Sequence, residues 1–263
     1  MQQKDKLIEN IENIEQSINE NVGVGVGVIH VRAIHELPLQ QQQQSNSNTK
    51  AGYKKTEIGL IPEDWEVKRL DEIGSFSKGQ GIRKDESKSG NIPCIRYGEL
   101  YTQHHNYIKN FYSFISNEIS RTAKKIKKGD ILFAGSGETK EEIGKCAAFI
   151  DEVEAYAGGD IVILSPVNVD SLFLGYLLNS SPIVQQKSRK GQGDAIVHIS
   201  TKNLQNILFP FPSLPEQQKI ASVLSTSDQE IELLKQELES LKEQKKGLMQ
   251  LLFTGKIRVN INN

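Results

Sequence analysis

Residues 213–252 read SLPEQQKIASVLSTSDQEIELLKQELESLKEQKKGLMQLL. Alternating steps of four and three from Ile220 select Ile220, Leu224, Ser227, Ile231, Leu234, Leu238, Leu241, Lys245, Leu248 and Leu252. All but Ser227 and Lys245 are Leu or Ile, and the residues between are mostly Glu, Lys, Gln and Ser. A narrow stripe on this heptad spacing is buried by pairing with another helix, whereas a helix packed on its own domain usually carries a wider apolar face. The two polar interruptions cost stability but help to set register. Ser213 and Glu216 have the spacing of a capping box, and Pro215 falls in the first turn, where its missing N–H costs nothing. Gly255 is placed to terminate the run. The pattern predicts one helix over 216–252, a rod of about 55 Å at 1.5 Å per residue. Such a rod is a spacer or a dimer seam.

The whole chain has 263 residues, enough for one large domain or one domain with extensions. No apolar run approaches the ~20 residues that span a bilayer, and no charged-then-apolar leader opens the sequence. A soluble, cytoplasmic protein without membrane partners is therefore expected. Cys94 and Cys146 are too few and too isolated for a zinc site or a disulfide framework, so no metal is expected. The net charge of −1 averages opposed regions. Between Lys78 and Lys140 stand twelve basic residues and only six acidic ones, while the first twenty residues are acidic. A basic middle allows a phosphate-binding face despite overall neutrality.

In order, residues 1–52 read as an appendage. Leu7, Ile11, Ile14 and Ile18 suggest a short amphipathic helix, VGVGVGV (22–28) is low complexity, and Gln40–Gln44 followed by SNSNTKAG forms a polar linker. VGVGVGV lacks the G-x-G-x-x-G spacing of a dinucleotide loop. From 53 to 212, β-prone runs alternate with Gly-rich turns: IPCIRY (92–97), DILFAG (130–135), CAAFI (146–150) and DIVILSP (160–166). Leu172–Leu178 is the clearest helical pattern. The expectation is a mixed α/β domain over 53–212, the long coiled-coil helix over 213–255, and a tail over 256–263. Pro210, Pro212 and Pro215 punctuate the passage into the helix.

Catalytic signatures are weak. Phe133-Ala134-Gly135-Ser136-Gly137 has the F-x-G-x-G form of a methyl-donor loop, in which glycines let backbone approach a cofactor. The chain contains no Pro-Pro dipeptide to complete an amino-methyltransferase motif, and the following ETKEEIG is not the apolar helix of a cofactor fold. The segment reads as a tight turn at a strand end. Phosphate-loop, nucleophile-elbow and zinc-protease motifs are missing. His104 and His105, in a polar TQHHN run, read as solvated; His198 reads as a half-buried strand residue.

What remains is a set of polar, Gly-rich loops: SKGQGIRKDESKSG (77–90), GSGETKEE (135–142), AGGD (157–160) and SRKGQGD (188–194). Such loops reach phosphates through Lys, Arg and backbone N–H groups and base edges through Arg or Gln forks. The candidate nucleic-acid contacts are Lys78, Gln80, Arg83, Lys84, Arg96, Tyr97, Ser136, Lys140, Arg189, Lys190 and Gln192. On composition alone, ordinary solvated loops are the simpler reading.

Segment order tips that balance. IGLIPEDWEVKRLDEI (58–73), NIPCIRYGELY (91–101), GDILFAGSGETKEEIG (129–144), AYAGGDIVIL (155–164), GQGDAIVHIS (191–200) and FPFPSLPEQQKIASVL (209–224) follow one another as in a known family. Over roughly 53–259 the chain resembles the specificity subunit of type I restriction–modification enzymes. Its Pro-Ser-Leu-Pro-Glu-Gln-Gln passage (212–218) into a long helix is the most specific part. Family members carry two target-recognition domains and two long helices packed antiparallel as a ruler. This sequence carries one of each, with no internal repeat, and so resembles a half-length form.

The resemblance implies a non-catalytic subunit that reads double-stranded DNA. Modification subunits would be its partners and would bring S-adenosylmethionine, a restriction subunit could join them, and no cofactor would bind this chain. A second copy would pair along the seam and read a bipartite, palindromic site. The alternatives are a stand-alone small methyltransferase, and a coiled-coil adaptor or inactive truncated recognition cassette.

Overall fold

The structure is a computed structural model and describes residues 52–193 and 196–259. The amphipathic helix, the VGVGVGV run and nearly all of the polar linker expected at the N-terminus lie outside the described residues. A hairpin of β1 (Tyr53–Thr56) and β2 (Gly59–Pro62) leads to β3 (Glu66–Arg69) and β4 (Gly74–Lys78). Next come β5 (Ile92–Ile95), α1 (Tyr97–Thr102), β6 (Ser113–Ile115), α2 (Asn117–Ser120) and β7 (Lys124–Ile126). The run continues with β8 (Ile131–Ala134), β9 (Ser136–Gly137), β10 (Cys146–Ala148), β11 (Ala155–Ala157) and β12 (Ile161–Pro166). Helices α3 (Ser171–Leu177) and α4 (Ser181–Lys190), strand β13 (Val197–His198), α5 (Thr201–Gln205) and β14 (Leu208–Phe211) precede α6 (Leu214–Phe253).

Two four-stranded sheets, β10-β8-β12-β4 and β6-β5-β11-β7, pack face to face. Alternation explains how. Leu132, Ala134, Ile161 and Ile163 point into the layer shared with Ile95, Ile126, Ala155 and Ala157 of the second sheet. Their neighbours Ile131, Phe133, Val162 and Leu164 point the other way, into a core closed by Phe173 and Leu174 of α3, Ile183 of α4 and Leu204 of α5. β8 and β12 are thus buried on both faces, which is why ILFA and IVIL read as unbroken apolar runs. The mixed α/β domain followed by a long helix is the fold expected from the sequence.

Helix α6 runs for 40 residues, about 60 Å at 1.5 Å per residue. Its start departs from the expected capping box. Ser213 is the N-cap residue, but its side chain makes no capping hydrogen bond. Glu216 instead accepts the indole N–H of Trp65 at 3.0 Å, because docking the helix on the body turns that carboxylate towards the β2–β3 turn. The next residue completes the joint. Gln217 is fully buried, donates from Nε2 to the Pro212 carbonyl at 2.9 Å and accepts the Asp170 N–H at 3.0 Å. Ala221 is buried one turn on, and Tyr176 of α3 donates to Asp228 at 2.7 Å. The far end closes as expected: Gly255 is left-handed at φ +70° and donates to the Leu252 carbonyl.

Substituting Gln217→Ala leaves the buried Pro212 carbonyl and the half-buried Asp170 N–H without these partners. Each such group costs roughly 1–3 kcal/mol. Urea unfolding should show a loss of at least about 2 kcal/mol, against little change for the exposed neighbour Gln218→Ala.

Candidate functional site

The polar loops meet at one edge of the paired sheets, where β4, β5, β8 and β11 end. There the backbone interlocks. Gly79 donates to the Ile161 carbonyl, Gln80 to Ala157, Gly158 to Ile95, Gly159 to Gly81, and Gly135 to Asp160, at 2.7–3.2 Å. Glycine is required for this closeness. A Cβ on Gly79 would lie 1.9 Å from the Gly158 carbonyl oxygen, and one on Gly135 would lie 2.9 Å from that of Asp160. SKGQG, FAGSG and AGGD are therefore parts of one fused platform. The FAGSG segment takes the form expected, a turn from β8 into β9.

A cleft of about 280 Å³ opens on this platform, lined by Lys78, Ser136, Asp160, Gln192, His198 and Ser200 among others. Three sequence candidates, Lys78, Ser136 and Gln192, thus converge. Lys78, Gln80 and Gln192 are exposed, while Ser136 is buried, its carbonyl accepting the Tyr101 hydroxyl at 2.9 Å. Burial pushes the Tyr101 phenol pKa up, so it stays a neutral donor there.

Arg83 and Lys84 are exposed on the loop beyond Gly81, after Ile82, which is buried at φ +59°. Arg96 is half-buried, with Nη1 at 3.4 Å from the Ser87 hydroxyl, and opens α1, whose first residue Tyr97 is 40% exposed. Lys140 is exposed in the turn after β9.

Two candidates lie elsewhere. Arg189 lines a separate groove with Leu60, Trp65, Leu208 and Pro210, because α4 turns that residue towards the β1–β2 hairpin. Lys190 is half-buried, and its carbonyl accepts from Asn203.

Two of the three histidines considered, His104 and His198, depart from expectation. His104 is buried rather than solvated, and desolvation lowers its pKa to about 4; His105 is exposed. His198 is exposed rather than half-buried, with Nδ1 2.9 Å from the Ser136 hydroxyl. Alternation in Val197-His198-Ile199 carried that signal, since two buried neighbours put the residue between them on the opposite face. Asp160 was also missed, at a left-handed φ of +59° in AGGD.

On α6 the apolar stripe divides. Ile220 packs against the body's core, a departure from a continuous seam that follows from docking the first turns on α3. Leu224, Ile231, Leu234, Leu238, Leu241, Leu248 and Leu252 are 39–55% exposed. At about 100° per residue, Leu234, Leu238 and Leu241 lie roughly a third of a turn from Gln217, Ala221 and Asp228, which face the body. The cavity between body and helix, about 1040 Å³, mixes Lys109, Lys145 and Lys235 with Glu141, Glu142 and Asp228, and so offers no uniformly cationic surface. Among the described residues, no helix is long and apolar enough to cross a membrane.

The chain thus joins a two-sheet domain with a fused polar loop edge to a long helix whose apolar stripe is exposed. The family model for the type I restriction modification DNA specificity domain matches residues 62–243, and the chain belongs to that family. It is 32% identical over 219 residues to the type I restriction enzyme MjaVIII specificity subunit of Methanocaldococcus jannaschii, covering 80% of this chain and 50% of that protein. It is 24% identical to the type I restriction enzyme EcoKI specificity subunit of Escherichia coli, covering 76% of this chain and 44% of the relative. The chain spans about half the length of the curated relatives it matches. Among solved structures, the type I restriction-modification system S subunit from M. genitalium shares the fold, with a TM-score of 0.50, 20% identity, and coverage of 72% of this chain and 46% of that one.

Substituting Gly79→Ala should destabilise the platform by about 1–3 kcal/mol, since its Cβ meets backbone rather than a movable side chain. Hydrogen exchange should speed at Gln80, Gly158 and Gly159, while α6 amides near Gln217 keep their protection.

Proposed function

We propose that this chain is a DNA-recognition subunit of a type I restriction–modification system, non-catalytic itself, acting in the cytoplasm. The observation that carries the proposal is the fused loop edge, which gathers Lys78, Gln80, Ser136 and Gln192 on one rigid platform within a family of DNA specificity domains. Arg83, Lys84 and Arg96 extend the edge and supply charge for phosphates. Modification subunits would supply the methyl transfer and hold S-adenosylmethionine, and a restriction subunit would join them where cleavage occurs.

The exposed stripe of α6 supports self-association, with a second copy covering Leu234, Leu238 and Leu241. A closed dimer has twofold symmetry, so its two domains would read one element on opposite strands, an interrupted palindrome. Half-sites about 10 base pairs apart would put both domains on one side of the duplex.

Two measurements test this. Replacing Lys78, Arg83, Lys84 and Arg96 together by Ala should lower the slope of log affinity against log salt by about 0.9 for each phosphate no longer neutralised, and Arg189→Ala should leave it unchanged. The opposite pattern would place the interface on the hairpin side. Independently, Leu234→Glu with Leu241→Glu sets four carboxylates in a homodimer seam and should yield monomers by light scattering. A dimer that persists would rule out this seam.

A further inference from the structure

His198, on β13, stands at the centre of a row of three residues, between Ser136 of β9 and the bridging residue Gln192. Its backbone N–H and carbonyl are both taken by Gln192, at 2.8 and 2.9 Å, so the two residues are directly opposed. On its other side His198 is in register with Ser136. Since the backbone groups of His198 point to Gln192, the pairing with Ser136 is the non-hydrogen-bonded kind, in which side chains stand closest. That closeness brings the Ser136 hydroxyl to Nδ1. Ser136, His198 and Gln192 consequently share one face and line one cleft, with Lys78 at its margin.

The hydroxyl of Ser136 has no other hydrogen-bond partner among the described residues. The contact with Nδ1 engages that hydroxyl and fixes the orientation of the exposed ring, and among the described residues Nε2 has no hydrogen-bond partner, so it is the ring nitrogen free to meet a base. Gln192 beside it presents an amide, which carries donors and an acceptor together. A narrow antiparallel ribbon fits the major groove, where purine N7, guanine O6 and the adenine amino group are displayed. Groups that pair by direction suit base edges, whereas the cationic Lys78 suits the phosphates alongside.

We propose that His198, oriented by Ser136, and Gln192 form the base-reading row of this domain, with His198 Nε2 donating to a purine acceptor in the major groove. This rests on the DNA-recognition reading above. Ser136 is a positioning residue in this scheme and touches no base.

The test is selection of binding sites from a random-sequence duplex pool by the full chain, run in parallel for His198→Ala, Gln192→Ala and Ser136→Ala. The wild type should enrich a motif. His198→Ala should lose about tenfold discrimination at one base pair of each half-site, with its salt slope and its affinity for unselected duplex unchanged. Gln192→Ala should relax a neighbouring position, and Ser136→Ala should weaken the His198 position without abolishing it. A His198→Ala protein that selects the wild-type motif unchanged overturns the proposal. So does one that binds all sequences more weakly with a shallower salt slope, which would make His198 a phosphate contact. If the wild type enriches nothing, the DNA-recognition reading itself fails, a result distinct from either. His198 and Gln192 are exposed, so their variants should fold, which circular dichroism can verify.

Discussion

Burial of one sheet on both faces is the constraint from which the rest follows. β8 and β12 are covered on one side by the second sheet and on the other by helices and the first turns of α6. With no solvated face left, the central strands cannot carry polar side chains along their length. Polar chemistry is displaced to where the strands end. That is where Lys78, Ser136 and Asp160 stand, and the backbone there must close tightly to satisfy its own donors and acceptors.

The same constraint ties the reading edge to the rod. α6 contributes Ala221 to the core beneath the sheet, so the helix is part of the domain before it becomes a free-standing rod. Gln217 makes that joint directional, since its amide satisfies Pro212 on one side and the start of α3 on the other. A joint built from paired hydrogen bonds and buried surface resists pivoting more than a flexible linker does. In the proposed assembly, that stiffness would let rod length set the distance between two recognition domains.

Much of this was legible in the chain. The heptad spacing marked α6, the apolar runs in DILFAG and DIVILSP marked β8 and β12, and the Gly-rich stretches marked the turns between strands, but the covering of both strand faces and the meeting of backbone with backbone came only with the structure. The candidate residues include three that do converge, Lys78, Ser136 and Gln192, because polar residues flanked by glycine favour strand ends. They also include Arg189, which the structure sends to another groove. Sequence adjacency to Gln192 could not reveal this, since Arg189 belongs to α4, which ends at Lys190, while Gln192 lies beyond the helix in a bridge to His198.

Local pattern, then, determined the principal elements by itself: the apolar runs of the central strands, the long helix and its narrow stripe, and the glycines at the turns. These depend on periodicity and backbone preference, which act over a few residues. Only the tertiary structure decided the partners. Glu216 left its expected cap for Trp65, Ile220 left the seam for the core, and His198 met Ser136 from 62 residues away. Each outcome was set by which surfaces came together when the sheet was buried, and contacts between residues so far apart in the chain leave no local periodicity to read.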